Sequence, residues 1–210
     1  MPLIVADAPL PVADGLRLSP AHRELLRPGE LVRAAGGSLH RLPRYFYEVE
    51  SWALALATPL TANFALWEFM DVDVREPAAL RSFPRYVPCA VSVLATALEI
   101  VRAAVNAPVR IAANGGYRSP AHGASAAASA HCWGTAANIY RIGSDALDAA
   151  DRIERYTATI TRLLPFAQVR PFGSEPGAVD DQLHVDIGYV TLVPHGISEQ
   201  DHDSVDGNPR

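Results

Sequence analysis

The sequence predicts an α+β fold in which helices pack against a small antiparallel sheet. Residues 88–106 and 144–164 carry apolar side chains at helical spacing, whereas residues 183–193 alternate between apolar and polar side chains, as a half-buried strand does. The length of 210 residues, with 49% hydrophobic and 20% charged residues, is typical of one globular core rather than two full domains.

Residues that begin or end elements divide the rest of the chain. Ser19 and Pro20 favour a helix start, because Ser caps the free amides of the first turn and Pro fits the first helical position. Residues 44–57 are strongly apolar, and their spacing fits either a helix or a strand. The other predicted elements are an extended arm at 1–18, a helix end at Pro28-Gly29, a second short helix ending at Gly36-Gly37, short strands at 108–113, 134–142 and 168–170, a loop at 119–130 and a disordered tail at 196–210.

Composition and charge argue against several functions. The net charge of −5 gives no reason to expect a nucleic-acid or membrane partner. All eighteen cationic residues are Arg, which excludes Schiff-base or P-loop chemistry at a lysine. The chain has no run of about 18 apolar residues and no signal-peptide pattern, so we expect a cytoplasmic protein unless a signal has been removed. The two cysteines, Cys89 and Cys132, favour buried thiols over a disulfide framework.

Four segments follow one another in a distinctive order. They are Leu60-Thr-Ala-Asn-Phe-Ala-Leu-Trp-Glu-Phe69, Gly116-Tyr117-Arg118-Ser119-Pro120, Ser129-Ala-His131-Cys-Trp-Gly134-Thr-Ala136-Ala-Asn138 and Asp181-Gln-Leu-His184-Val-Asp186. The first resembles an entry segment of the M15 family of zinc D,D-carboxypeptidases and D,D-dipeptidases. The others resemble the GYRSP, SxHxxGxAxD and ExxH segments of the same family.

The resemblance implies a fold and a substrate class. It covers about residues 60–193 and implies a hedgehog/DD-peptidase-like domain over residues 60–195. Residues 1–59 would then form an N-terminal arm and helical extension. The implied activity is that of a zinc-dependent peptidase or amidase of the D-alanyl-D-alanine carboxypeptidase type. Its substrate would be a small peptide or a peptidoglycan-like molecule.

The resemblance also implies a role for individual residues. One zinc ion would be held by His131, His184 and the residue at position 138, with a fourth position left for water. Asp181 would accept a proton from that water, and Arg118 would polarise the scissile carbonyl or bind a substrate carboxylate. Ser129, Tyr117 and Asp186 would contact the substrate or support the metal ligands.

Position 138 departs from the family, because it is Asn where the family has Asp. A neutral amide is a poorer zinc ligand than a carboxylate, and we expect it to weaken metal binding by at least about tenfold. Asp181 or Asp186 could replace the missing ligand, or another metal could be preferred. Alternatively, the chain is a metal-free pseudopeptidase that binds peptides or carboxylates, or a scaffold used for non-hydrolytic chemistry.

Two further alternatives concern neighbouring residues. His122 and Cys132 are substitute ligands that the sequence offers close to His131. Arg118 could pair with Glu68 or Asp186 instead of meeting a substrate.

Overall fold

The computed structural model describes residues 10–126, 128–172 and 182–194. In this part of the chain, ten strands form three small antiparallel sheets, accompanied by five α-helices, which confirms the predicted α+β class. No helix in these residues is long and apolar enough to cross a membrane. The hedgehog/DD-peptidase topology stays a prediction.

The strands are β1 (Val12–Asp14), β2 (Leu31–Arg33), β3 (Leu39–Arg41), β4 (Tyr45–Val49), β5 (Arg85–Pro88), β6 (Val109–Ile111), β7 (Ala136–Ile142), β8 (Asp145–Ala146), β9 (Gln168–Val169) and β10 (Leu183–Asp186). The α-helices are α1 (Pro20–Leu26), α2 (Trp52–Ala57), α3 (Ala78–Arg81), α4 (Val91–Val105) and α5 (Ala150–Leu163). Short 3-10 helices lie at Gly15–Arg17, Leu66–Phe69 and Ala130–Trp133.

The largest sheet has one apolar and one polar face. Its strands run in the order β6-β7-β10-β9, with β8 paired to the end of β7. Leu183 and Val185 lie opposite Ile139 and Ala137, and all four side chains are fully buried in the core that also contains residues of α4 and α5. Because side chains alternate along a strand, the opposite face presents polar residues. These polar residues include Asn138, His184 and Asp186.

A second sheet joins the N-terminal residues to the rest of the chain. Its strands run in the order β1-β4-β5, with Phe46 of β4 opposite Pro88 of β5. Phe46 and Val49 lie in the same buried core as Leu94 of α4. Residues on both sides of position 59 therefore share one sheet and one core, while the domain boundary drawn there from the sequence stays a prediction.

The prediction of a short helix ending at Gly36-Gly37 is wrong, because these two glycines lie in the turn of the β2–β3 hairpin. Gly37 has a φ of +87°, a left-handed conformation that glycine adopts at no steric cost. Val32 is the buried residue of the three in β2, and it packs in a small cluster with Leu42 and Trp133. With only one buried side chain in a three-residue strand, the spacing of apolar residues is too short a pattern to distinguish a strand from a helix.

Other predicted bounds change by a turn or more. Residues 44–57 contain both alternatives, first β4 and then α2, whose first turn is capped by Ser51. The helix predicted from residue 144 begins only at Ala150, because the preceding residues form the β7–β8 hairpin around Gly143. The strand predicted over 183–193 ends at Asp186, whose Oδ1 accepts the N–H of Gly188 at 3.0 Å as the chain turns.

The remaining elements follow the sequence more closely. Ser19 Oγ accepts the N–H of His22 at 3.3 Å, so the predicted cap of α1 is confirmed. The predicted helix at 88–106 is α4, although Pro88 belongs to β5 and the helix begins at Val91. Part of the predicted arm, Val12–Asp14, is a sheet strand, whereas residues 1–9 and the predicted tail at 196–210 lie outside the described residues.

Candidate active site

The loop with the Gly-Tyr-Arg-Ser-Pro motif is packed tightly against two other backbone segments. A Cβ atom at Gly115 would lie 2.6 Å from the carbonyl oxygen of Ala112, and one at Gly116 would overlap the backbone of Phe69. The N–H of Tyr117 donates to the carbonyl of Phe69 at 2.6 Å. Only glycine allows this approach, so the structure joins two of the four motifs that the sequence singled out.

His131 lies in the 3-10 helix that precedes β7. Its side chain is 2% exposed, and its Nδ1–H donates to the carbonyl of Gly116 at 2.7 Å. That bond places the proton on Nδ1 and leaves a lone pair on Nε2. Burial and the positive charges of Arg118 and His184 hold the pKa of His131 well below its usual value. The ring is therefore neutral at neutral pH, as a metal ligand must be.

His184 is held from both sides on the polar face of the main sheet. Its Nδ1 lies 2.8 Å from Oδ1 of Asn138, which stands directly opposite on β7. Its Nε2 lies 3.2 Å from Oδ2 of Asp186, two residues further along β10. Both oxygens are acceptors, so a ring that donates to both is an imidazolium. A neutral ring donates to only one of them. Its other nitrogen then carries a lone pair that points at the lone pairs of the second oxygen, with no proton between the two atoms.

The two imidazole rings have the spacing of a shared metal site. Their centres lie 5.2 Å apart, with an angle of 59° between the ring planes. Two imidazoles bound to one zinc at a tetrahedral angle, with Zn–N bonds of about 2.0 Å, have ring centres about 5 Å apart. Each ring is also held through one nitrogen by an oxygen, from Gly116 for His131 and from Asp186 for His184. Such outer contacts orient histidine ligands in metal sites.

As metal ligands, the two imidazoles and the Asn138 amide are all neutral, and this lack of negative charge fits a zinc ion less well than the ring spacing does. The described residues contain no group of three His, Cys, Asp or Glu side chains placed to hold a metal. The oxygen that faces Nδ1 of His184, at the position where the family has a carboxylate ligand, belongs to the neutral amide of Asn138. The spacing of the two rings is therefore compatible with zinc, whereas among the described residues of this set only Asp186 carries a negative charge to balance the ion.

Arg118 lies next to His131, with one guanidinium nitrogen left without a hydrogen-bond partner among the described residues. Its backbone N–H donates to the carbonyl of His131 at 3.3 Å. Its Nε is buried and has no hydrogen-bond partner among the described residues. Neither proposed partner pairs with it, since Glu68 accepts from the N–H of Ala65 and Asp186 faces His184. A partly buried guanidinium with an unpartnered nitrogen is suited to receive an anionic group from a ligand.

Glu76 is a site residue that the sequence analysis missed. It is 3% exposed, and its Oε2 accepts the N–H of Ser119, the residue after Arg118, at 3.1 Å. Burial raises the pKa of Glu76, and the hydrogen bonds from Ser119 oppose that rise, with smaller contributions from the charges of Arg85 and Arg118. It lies 43 residues before Ser119 in a segment with no motif, so nothing in the sequence indicated that it supports the loop.

Tyr117 occupies a different place from the predicted substrate contact. Its side chain lines a cavity on the side of the loop where Glu76, Met70 and Arg85 lie. Its hydroxyl is buried without a partner among the described residues, and burial raises the pKa of that phenol well above its usual value. This position favours the second of the two predicted roles, support of the site rather than contact with a substrate, and the role of Tyr117 stays a prediction.

His122 is committed to other contacts. Its Nδ1 accepts the N–H of Ala124 at 3.0 Å, and its Nε2 lies 3.0 Å from Oδ1 of Asn114. With both ring nitrogens in use, it organises the 119–130 loop and offers no lone pair for a metal.

The remaining predicted residues fall into three situations. Cys132 and Cys89 are free, buried thiols, and burial raises the pKa of Cys132 to about 11, so it is no ready thiolate ligand. Ser129 precedes the 3-10 helix, and its carbonyl, rather than its hydroxyl, accepts the N–H of Cys132 at 2.8 Å. Asp181, the predicted base, lies outside the described residues.

Comparison of the chain with models of protein families, with curated proteins and with solved structures finds no match. The resemblance to the M15 family therefore depends on the motif residues themselves. Three of these residues, His131, Asn138 and His184, lie together in the structure, and Arg118 adjoins them through its backbone.

Proposed function

We propose that this protein is a metal-dependent peptidase of the M15 type, acting on a small peptide or peptidoglycan-like substrate. The observation that carries the proposal is the histidine pair. Each ring is held through one nitrogen by an oxygen, and the ring centres lie 5.2 Å apart. His131, His184 and the amide oxygen of Asn138 would hold the metal. Zinc in such a site supplies Lewis-acid polarisation and activation of water.

The chain's own residues would prepare both the metal site and the substrate. Burial keeps His131 neutral, and its bond to Gly116 directs the lone pair to Nε2. Asp186 orients the ring of His184 and adds a negative charge close to it. The guanidinium of Arg118 would bind the scissile carbonyl or the terminal carboxylate of the peptide. Asp181 is proposed as the proton acceptor on the basis of its place in the motif.

A second candidate is a metal-free protein that binds a peptide or carboxylate at the same site. It is favoured by the contact between His184 and Asn138, which a single proton satisfies without any metal. In this form Arg118 remains the anion-binding group, and hydrolysis is absent.

Metal content distinguishes the two candidates. We would measure metals by plasma mass spectrometry in protein purified without a tag or chelator, comparing the wild type, Asn138→Asp and the control Asn106→Asp. Release of D-alanine from D-alanyl-D-alanine would be measured on the same samples. Asn106 ends α4 at an exposed position, so this control adds the same charge away from the site.

The peptidase proposal predicts close to one zinc per wild-type chain, and at least about tenfold tighter binding in Asn138→Asp. No metal in the wild type, with binding restored only in Asn138→Asp, would support the metal-free candidate. Absence of metal from all three proteins, even after zinc is added, would overturn the proposed metal site.

A further inference from the structure

The β2–β3 hairpin has one covered face and one open face. On the covered face, Val32 packs with Trp133, and the ring of His40 stacks on that of Tyr189 with 3.7 Å between the ring centres. Opposite residues of a strand pair project from the same face, so the register assigns four exposed side chains to the other side of the hairpin. They are Leu31 opposite Arg41, and Leu39 opposite Arg33.

This open face is positively charged, and no carboxylate among the described residues pairs with its two guanidinium groups. Nη1 of Arg33 donates to the carbonyl of Gly37 at 2.7 Å, and Nη1 of Arg41 donates to the carbonyl of Gly29 at 2.6 Å. Residues 10–44 contain six arginines and three carboxylates, so this region is basic although the whole chain has a net charge of −5.

The C-terminal part of the chain continues from a point beside this hairpin. Residues 191–193 line the same cavity as Arg41 and Leu42, at the end of β3. The residues after 194 lie outside the described part of the chain. An extended chain covers about 3.3–3.6 Å per residue, so five residues reach up to about 17 Å. That reach is enough to pass from the cavity to the open face, because neighbouring strands are only about 5 Å apart.

The sequence beyond residue 194 carries a pattern that complements the open face. Side chains alternate along an extended chain, so every second residue lies on the same side. One side of residues 197–205 would then carry two apolar residues around three carboxylates, namely Ile197, Glu199, Asp201, Asp203 and Val205. Carboxylates two residues apart are separated by about 6.6 Å along the chain. Arg33 and Arg41 are diagonal neighbours of an antiparallel pair, which lie about 7–8 Å apart.

We propose that residues 197–205 bind across the open face of the β2–β3 hairpin in the same chain. Their carboxylates pair with Arg33 and Arg41, and their apolar side chains pack on the two exposed leucines. Exposed ion pairs are individually weak, but a short tether holds the two partners at a high effective concentration. The inference goes beyond the proposed function, and it requires neither a metal nor hydrolysis.

Paramagnetic NMR on the full chain measures this contact directly. A nitroxide is attached to the Ser204→Cys variant, at a position that faces away from the hairpin in the proposed arrangement. The natural thiols, Cys89 and Cys132, are each 1% exposed, so the label reacts at the new one. We expect the amide signals of β2 and β3 to lose intensity relative to the sample with reduced label. Most of that intensity should return at about 1 M NaCl, where the Debye length is about 3 Å.

Arginine variants assign the contact to the open face. Replacing both hairpin arginines, by Arg33→Gln and Arg41→Gln, should restore most of the signal intensity at low salt, because the carboxylates then have no cation to pair with. The control Arg162→Gln removes an exposed arginine from the last turn of α5 and should leave the intensity loss unchanged.

Variants of the C-terminal residues separate the alternating pattern from net charge alone. The pair of changes Gln200→Asp and Asp203→Gln keeps the net charge but makes the three carboxylates consecutive. It should restore much of the signal intensity, because consecutive residues point to opposite sides of an extended chain. The control Asp206→Asn removes a carboxylate outside the alternating set and should leave most of the intensity loss in place.

An intensity loss that persists unchanged at high salt or after both hairpin arginines are replaced would overturn the proposal. A loss confined to another surface of the protein would do the same. Mixing isotope-labelled protein with separately spin-labelled protein detects contact between copies, and loss of signal in that mixture would assign the contact to a second copy instead. Should the double arginine variant not fold, the salt series and the variants of the C-terminal residues still decide the question.

Discussion

Nδ1 of His184 lies 2.8 Å from Oδ1 of Asn138, across the β7–β10 strand pair. The register of the sheet fixes this contact, since the two residues stand directly opposite each other with their side chains on one face. A change at position 138 therefore alters the charge and hydrogen bonding of the site while leaving its backbone in place. One proton or one cation between these atoms is enough to satisfy both of them.

Asn138→Leu should destabilise the metal-free protein by about 1–3 kcal/mol, because it leaves a buried ring nitrogen of His184 without a partner. Asn138→Asp keeps an acceptor at the same place and should lose less. Urea unfolding at pH 7 with a chelator present would measure both. Equal stability of the wild type and Asn138→Leu would show that the contact contributes nothing to folding.

Much of the site could be predicted from the sequence because the motif residues lie close to one another through simple local geometry. His131 and Asn138 are seven residues apart on either side of the entry into β7, and alternation along β10 puts His184 on the polar face. Long periodic elements such as α4 were predicted for the same reason, since fifteen residues repeat one pattern.

The parts that sequence could not predict depend on contacts between distant segments. Glu76 supports the loop from 43 residues away, and the N–H of Arg170 donates to the carbonyl of His184 from a third strand segment. The β2–β3 hairpin has only three residues in each strand and packs on Trp133, far along the chain. In each case tertiary packing, rather than local propensity, decides the structure.

Glu76→Ala should be less stable than Glu76→Gln by about 1–3 kcal/mol, because only Gln keeps a carbonyl oxygen for the buried N–H of Ser119. Comparing the two variants with each other removes the effect of losing a buried charge, which both share. Urea unfolding at pH 7 provides the measurement, with Glu154→Ala on the exposed face of α5 as the control, expected within about 0.5 kcal/mol of the wild type. Equal stability of Glu76→Ala and Glu76→Gln would show that the hydrogen bond to Ser119 does not hold the loop.

Stability of the metal-free protein should fall as the pH is lowered below about 6.5, because of His131. The folded state holds the pKa of His131 well below the usual value of 6.5, so the unfolded chain takes up a proton there before the folded one does. The contribution is thus fully present above pH 6.5 and decreases, by up to about 1.4 kcal/mol for each pH unit, as the pH falls toward the folded pKa. Urea unfolding between pH 7.5 and 5.5 with a chelator present should show this slope in the wild type and in the control His22→Gln, and a smaller slope in His131→Gln. An identical slope in His131→Gln would mean that His131 is not held neutral by its surroundings, and that another group produces the dependence.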